Sequence, residues 1–297
     1  MIRYTKYSKI YLIIAGITLL FSLYFIIFGG LKPGIDFTGG TILEIEYKND
    51  RPSNQEIEEK LKKINLGSIS IQPTGEKGVI IKMKEISSDV HNEILLTLGK
   101  NEGLIEEKRF EFIGPVIGKE LTQKTFIVVI LSLIAMMIYI SLAFRKMKRP
   151  IKSWQYSLSS VFCLAHDTLI VLAVFSILGK LYGVEISIPI ITALITLVGY
   201  SINNTVVVFD RIRENISFGG NFDEIIDRSL NETFLRQFGT FFTTLLAVLA
   251  IFFFGGTTLK YFSLTLVIGL IVGSFSSFFV AAPLLLEWLR LKERKKS

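Results

Sequence analysis

Polar side chains inside long apolar stretches are the residues of this chain whose positions most suggest chemistry. His166 and Asp167 interrupt an otherwise uncharged stretch from Trp154 to Gly179. A lone carboxylate near the middle of a membrane span is costly unless it is paired or protonated. Asp167 is therefore a candidate for ion movement and equally for structural pairing. Because adjacent helical residues point about 100° apart, we expect His166 and Asp167 not to share a helix face.

A second polar run lies between Glu185 and Asp210, where asparagine and hydroxyl side chains follow one another. Such side chains can line the path of an ion, or they can hydrogen-bond between helices at about 0.6 kcal/mol each. The sequence does not decide between these two roles. The candidates for an ion pathway are Asn203, Asn204, Thr205, Arg236 and Asp167.

The elements that must position these residues follow from the spacing of charges. Half of the 297 residues are apolar and 20% are charged, and five stretches of at least 20 residues carry no charge at all. About 20 apolar residues suffice for a helix to cross the hydrocarbon core of a bilayer. With the stretch around Asp167 as the sixth, we predict a membrane all-α bundle of six helices, the fifth beginning near Arg236.

Basic residues indicate how this bundle is oriented. The N-terminus, the loops after the second and fourth helices and the C-terminus hold 17 lysines and arginines, whereas the two short opposite loops hold Lys180 and Lys260. Positive residues stay in the cytoplasm, which predicts that both termini are cytoplasmic. The net charge of +7 then encodes orientation rather than nucleic-acid binding. The single cysteine, Cys163, excludes a disulfide framework and a thiolate metal cluster, and we expect no metal and no cofactor.

Residues 32–124 have the composition of a soluble domain, with 14 basic and 16 acidic residues, and the helix count places them outside. Alternation of Leu43, Ile45 and Tyr47 predicts a strand, and Ser53 followed by Glu56 predicts a helix start. The whole segment reads β-α-β-β-α-β, the order of a ferredoxin-like α+β domain.

The predicted domains are therefore residues 1–31, with the first helix, then the extracytoplasmic domain 32–124, and residues 125–297 with the other five helices. The extracytoplasmic domain has one histidine, His91, and no cysteine. It lacks the ligands of a metal centre, so we expect a binding or gating module and no enzyme.

Several motifs then coincide with those of a known family. Gly34-Ile-Asp-Phe-Thr-Gly-Gly40 follows the first helix, and the run from Gly199 to Asn215 lies in and after the fourth. Further matches are Gly114–Leu121 before the second helix, Ser229–Thr233, and Phe254–Gly256. These motifs resemble the SecF family, the smaller membrane subunits of the bacterial SecD–SecF export complex. The matching positions are Gly34, Asp36, Gly39, Gly40, Asp210, Arg211, Arg213, Glu214 and Asn215.

The resemblance implies half of an RND-type transporter, with one large external loop between its first two helices. It implies pairing with SecD and association with the SecYEG channel, with YajC and with translocating preproteins in the bacterial cytoplasmic (inner) membrane. Family members assist late, ATP-independent movement of preproteins by means of a proton or sodium gradient. The rival hypothesis is half of an RND-type small-molecule or lipid exporter. Because the chain contains no internal repeat of its six helices, either function requires a second half.

Position 204 departs from the family pattern. Proton-coupled members usually carry aspartate where this chain has Asn204, and asparagine does not exchange a proton near neutral pH. The arginine that partners this position in the family matches Arg236. Three hypotheses follow: coupling relies on an acid from SecD or on Asp167, it uses sodium bound by Asn204, Thr205 and Ser201, or it has been lost. We favour the acid from SecD.

Overall fold

The computed structural model describes residues 2–64, 66–67, 69–144 and 151–294, without the side chains at 257, 258, 293 and 294. The basic residues counted above at 145–149 and 295–296 lie outside these ranges. Contacts divide the chain into two compact units, Pro33–Ile127 and Met1–Lys32 with Val128–Ser297. The helices are α1 Ser8–Gly29, α2 Ile35–Thr38, α3 Asn54–Leu61, α4 Ser88–Thr97, α5 Pro115–Ala143, α6 Ser153–Tyr182, α7 Ile188–Ile216, α8 Phe222–Phe254, α9 Gly256–Ser276 and α10 Ala282–Arg294. The strands are β1 Gly40–Tyr47, β2 Ser70–Thr74, β3 Gly78–Met83 and β4 Ile105–Ile113.

Within the described residues, six helical segments are long and apolar enough to cross a membrane, as the charge-free stretches predict. The chain is therefore a multi-pass membrane protein. The first span is α1 with the short helix before it, and the sixth combines α9 and α10. The spans differ in packing, because α6, α7 and the sixth span bury much of their surface whereas α1, α5 and α8 bury little.

Three membrane helices extend beyond their apolar stretches. The prediction that the fifth helix starts near Arg236 is wrong, since α8 begins at Phe222, where the side chain of Asn221 accepts a hydrogen bond from the Asp223 amide. Likewise α5 already begins at Pro115, so the second motif forms its first turns, and α7 continues to Ile216. Charged residues end the hydrocarbon segment but are themselves compatible with helix, so the charge pattern locates the membrane and not the helix ends.

The unit Pro33–Ile127 contains the predicted ferredoxin-like fold. Its antiparallel sheet has the strand order β2-β3-β1-β4, with α3 and α4 on one face. Leu43, Ile45 and Tyr47 are buried on the same face of β1, as their alternation predicts. Ser53 caps α3 by accepting from the Glu56 amide, which confirms the predicted helix start. The sheet and the two helices thus enclose a core of their own.

The sixth span changes its winding. A π-helical segment, Ser277–Ala281, separates α9 from α10. Pro283 lies two residues beyond it, and a proline lacks the amide hydrogen and displaces the carbonyl of the preceding turn. After this segment, α10 contacts the N-terminal segment, where Glu287 accepts from Ser8 Oγ at 2.7 Å, and α8, where Arg290 pairs with Asp223 at 2.5 Å.

The contact between α7 and α9 depends on Gly269. A Cβ atom at this position would lie 1.9 Å from Cδ1 of Leu197, so a side chain on Gly269 requires Leu197 to move or the two helices to separate. We expect Gly269→Ala to destabilise the membrane unit by about 1–3 kcal/mol through overpacking. Gly239→Ala is the matched control, because a Cβ atom there meets nothing within 4 Å. Thermal unfolding of the two variants in detergent checks this, and equal midpoints would contradict it.

Candidate functional site

A group of polar side chains around Asp167 joins four membrane helices. Asp167 on α6 is 5% exposed, and its Oδ2 accepts from Ser201 Oγ on α7 and from Ser276 Oγ on α9, each at 2.7 Å. Its Oδ1 lies 3.1 Å from Nδ1 of His166, and His166 Nε2 lies 3.1 Å from Thr18 Oγ1 on α1. These five residues are referred to below as the Asp167 cluster. Because its members satisfy one another, the carboxylate is not isolated in the apolar interior.

His166 and Asp167 contact each other although, as expected, they do not share a helix face. Both side chains are buried, and although they leave the helix about 100° apart, the imidazole ring is long enough to reach the carboxylate beside it. Of the two roles weighed for Asp167, pairing is therefore present in the structure. Pairing and ion binding are compatible, since a histidine and a carboxylate can both exchange protons.

Asn204 and Thr205 are also buried, but they form separate contacts. The backbone carbonyl of Asn204 accepts from Gln237 Nε2 on α8 at 2.7 Å. In the described part of the chain, Nδ2 of Asn204 and Oε1 of Gln237 have no hydrogen-bond partner. Thr205 Oγ1 donates to the carbonyl of Ser201 at 3.0 Å and lies 3.3 Å from Ser277 Oγ. Thr205 thereby adjoins the Asp167 cluster, whereas Asn204 faces α8.

Asn203 and Arg236 lie on the exposed surface of this chain. Asn204 and Arg236, the two positions that the family pairs, are therefore not brought together by the chain itself. The residue of α8 that contacts α7 at this level is Gln237, which is 4% exposed and follows Arg236 directly. One step along a helix is about 100°, so Gln237 faces inward while Arg236 faces away.

Two of the motifs that resemble the family meet where α7 ends and α8 begins. Asn215 Nδ2 donates to Ser229 Oγ at 2.9 Å and to Glu232 Oε2 at 2.8 Å. Arg211 Nε donates to the same Glu232 oxygen at 2.7 Å, and its Nη1 reaches Glu214 at 2.6 Å. On the same helix, Arg213 pairs with Asp210 at 2.7 Å. These residues tie the two helices together, which is a structural role.

The motif around Gly39 and Gly40 forms a tight joint with the start of α5. Gly34 precedes the one-turn helix α2, and Gly39 ends it with a φ of 74°. A Cβ atom on Gly39 would lie 2.9 Å from the Pro115 Cα, and one on Gly118 would lie 2.8 Å from the Gly39 amide nitrogen. Two motifs that are far apart in sequence are thus in backbone contact, and glycine is needed on both sides.

Charged groups near this joint raise the pKa of one side chain of the sheet, that of Arg109. Arg109 on β4 donates to both carboxylate oxygens of Glu111, at 2.7 and 2.6 Å. These hydrogen bonds raise the pKa of Arg109, and the negative charges of Glu44 and Asp36 add to the effect.

His91, the histidine of the soluble unit, stacks on Phe110 with ring centroids 4.0 Å apart. In the described residues no group of three or more His, Cys, Asp or Glu side chains could hold a metal ion.

Sequence reasoning missed Thr18, Ser276 and Gln237, which complete the polar contacts of Asp167 and Asn204. Serine and threonine are common in membrane helices, and most of them bond to their own helix. Nothing in their spacing marks these three residues. Their contacts depend on how neighbouring helices are rotated about their axes.

Two family models match the chain. Residues 95–291 match the C-terminal model of the SecD/SecF protein export membrane proteins, and residues 24–50 match the SecD/SecF GG motif. The second match contains Gly34, Gly39 and Gly40, the residues of the tight joint. The first contains α5 to α9, with Asp167, Asn204 and Arg236.

Similar full-length proteins bear related names. The chain is 35% identical to the protein translocase subunit SecF of Thermobaculum terrenum, over 96% of this chain and 92% of that protein. It is 34% identical to the protein translocase subunit SecDF of Brucella abortus, covering 87% of this chain and 33% of that protein. The crystal structure of the translocon-associated membrane protein SecDF from Thermus thermophilus superposes with a TM-score of 0.83 at 29% identity, covering 97% of this chain. The chain spans 38% of that SecDF chain.

The tight joint generates a prediction about the soluble unit. Gly40 has a φ of 137°, and a Cβ atom there would lie 2.8 Å from the carbonyl oxygen of Met83. We expect Gly40→Ala to cost about 1–3 kcal/mol of local stability and so to speed amide exchange in β1 and β3 at least tenfold. Gly75→Ala is the control, since Gly75 also has a positive φ of 60° but meets nothing within 4 Å. Hydrogen exchange of the full chain measures both, and equal rates would refute the expectation.

Proposed function

Because the chain belongs to the SecD/SecF family of protein export membrane proteins, we propose that it acts as a SecF-type, non-enzymatic subunit. It pairs with SecD, associates with SecYEG and YajC, and assists the late movement of preproteins across the bacterial cytoplasmic membrane. Both termini face the cytoplasm, the unit Pro33–Ile127 lies outside, and an ion gradient supplies the free energy.

The observation that carries this proposal is the exposed polar surface of α7 and α8. Thr192, Thr196 and Asn203 on α7, and Arg236 and Thr240 on α8, are exposed although both helices cross the membrane. An arginine in contact with lipid costs about 2.5–3.5 kcal/mol at a helix centre and less near an interface. A second half-transporter that covers this surface removes the cost, and SecD supplies such a half.

The depth of Arg236 fits a role in ion coupling. Eighteen residues separate it from Phe254 at the end of α8, which is about 27 Å of helix against a hydrocarbon thickness of about 30 Å. Arg236 then lies near the inner edge of the hydrocarbon layer, beside the level of Asn203 and Asn204. Since Asn204 does not titrate, we propose that an acid of SecD faces Arg236 and carries the coupling proton.

We expect Arg236→Ala to lower gradient-stimulated export at least tenfold, because the acid of SecD loses its counter-charge. Arg228→Ala is the matched control: Arg228 is also exposed on α8, eight residues earlier, outside the hydrocarbon segment. Preprotein release from spheroplasts with and without a proton gradient measures the effect. Equal losses in the two variants would contradict a specific role for Arg236.

Asn204→Asp tests the source of the titrating acid. If SecD supplies the acid, the wild type already shows proton-dependent export, and the added carboxylate brings no gain. Proton-dependent export that appears only in Asn204→Asp would refute a SecD-supplied acid. Dependence on sodium instead of protons in the wild type would favour ligation by Asn204, Thr205 and Ser201.

The alternative function, half of an RND-type exporter, predicts a different partner. Affinity purification from membranes in mild detergent distinguishes the two. Recovery of a SecD-like chain in equal amount supports the export role, and recovery of a homodimer alone supports the exporter.

A further inference from the structure

The hydrogen bonds of the Asp167 cluster fix how many protons it holds. Thr18 Oγ1 donates its only hydrogen to the carbonyl of Ala15 at 3.0 Å, because a carbonyl cannot donate. The same oxygen lies 3.1 Å from His166 Nε2, so in this contact Thr18 accepts and Nε2 carries a hydrogen. The tautomer of His166 is therefore restricted by a bond inside α1.

The other side of Asp167 is occupied by two donors. Ser201 Oγ and Ser276 Oγ both lie 2.7 Å from Oδ2, and each serine hydroxyl has one hydrogen to give. Ser276 Oγ also lies 3.2 Å from the Gly273 carbonyl, and the shorter, charge-assisted contact with Oδ2 takes the hydrogen. An oxygen that accepts from both is best satisfied without a proton of its own. The 3.1 Å contact between Nδ1 of His166 and Oδ1 of Asp167 then requires one further hydrogen between these two atoms.

We propose that the His166–Asp167 pair is a proton-binding site inside this chain, which holds one exchangeable proton and is electrically neutral when it is occupied. The site deepens the ion coupling of the proposed function, on which its biological use rests. It is distinct from the acid of SecD proposed above, and it does not need a carboxylate at position 204. The chain thus keeps a titrating group in its own membrane half although Asn204 cannot titrate.

The surroundings favour the neutral, protonated state. On the helices that pack against the pair, the nearest charged residues in the sequence are at least nine positions from Thr18, Ser201 and Ser276. The other titratable side chains nearby are uncharged at neutral pH: Cys163 on the same helix, Tyr200 on α7, and Tyr11 on α1. Removing the proton leaves an uncompensated negative charge in this apolar interior, which is costly.

Loss of the proton also removes one hydrogen bond of the cluster or reverses the direction of the bond between α1 and α6. Without it, either Nδ1 of His166 faces Oδ1 of Asp167 with no hydrogen between them, or Nε2 gives up its hydrogen and Thr18 must release Ala15 to donate instead. The cavity beside Asp167 has a volume of about 10 Å³, at the lower limit for a single water. On the side of α1, Thr18, His166 and Ser276 line a larger groove of about 400 Å³, and the change in the hydrogen bond of Thr18 at this groove links proton binding to the contact between α1 and α6.

Nitrogen NMR of His166 tests the site directly. The chain has two histidines, so His91→Gln leaves His166 as the only signal when this chain is made with ¹⁵N-histidine and reconstituted in nanodiscs with an unlabelled SecD-like partner. We expect Nε2 of His166 to carry a hydrogen at pH 7 and Nδ1 to share a second hydrogen with Oδ1 of Asp167. In Asp167→Asn the second hydrogen should be lost at pH 7, because the amide leaves no negative charge to balance it.

Smaller changes separate this site from a general packing effect. Ser276→Ala removes one donor to Asp167 and should alter the titration of His166. Ser159→Ala on α6 should not, since Ser159 is also buried and its hydroxyl has no hydrogen-bond partner among the described residues. If Asp167→Asn fails to fold, the titration of His166 can still be compared between Ser276→Ala and Ser159→Ala, and this comparison tests the proposal by itself.

A His166 ring at pH 7 whose Nε2 carries no hydrogen or whose Nδ1 makes no hydrogen bond would overturn the proposal, as would a titration that Asp167→Asn and Ser276→Ala leave unchanged. The NMR result is independent of export. A lack of gradient-stimulated export would refute the proposed function while leaving the proton site intact, and a ring without these two hydrogen bonds would refute the site while leaving coupling through SecD intact.

Discussion

The membrane unit is organised by the need to satisfy one buried carboxylate. Asp167 lies in an apolar interior, where an ionised group without partners would cost several kcal/mol. Its two oxygens are satisfied from three helices, and the chain of contacts continues through His166 to a fourth. Gly273 lies against this group, since a Cβ atom there would be a tight 3.2 Å from Cβ of Ser201, one of the two donors to the carboxylate. The positions of α1, α7 and α9 around α6 are consistent with this requirement.

The architecture could be predicted because it depends on patterns that are local in sequence. Charge-free stretches predict spans, since a charge in hydrocarbon is expensive whatever surrounds it. Alternation around Ile45 predicts β1, because a sheet with one covered face separates apolar from polar residues at every second position. The cap at Ser53 is a contact between residues three apart. None of these inferences needs knowledge of a neighbouring helix.

The partners of the candidate residues could not be predicted, because they depend on helix rotation. A membrane helix is apolar all round, so its hydrophobic pattern does not say which face packs inward. Arg236 and Gln237 illustrate this, since a rotation of about 100° would exchange their roles. The family pattern pairs Arg236 with Asn204, yet within this chain Gln237 contacts α7. The distinction matters for mechanism, because it decides which group is left for a partner subunit.

The π-helical segment Ser277–Ala281 determines in which direction the side chains of α10 point relative to those of α9. A π turn contains one residue more than an α turn of the same helix, so everything after it is rotated by about one residue, or 100°. This rotation lets α9 present Ser276 to Asp167 while α10 presents Glu287 to Ser8. In an uninterrupted α-helix these two faces would not align with their partners. Deleting one residue of this segment would therefore restore a plain α-helix with both faces still in place, whereas rewinding the segment as α-helix without a deletion would turn Glu287 about 100° away from Ser8.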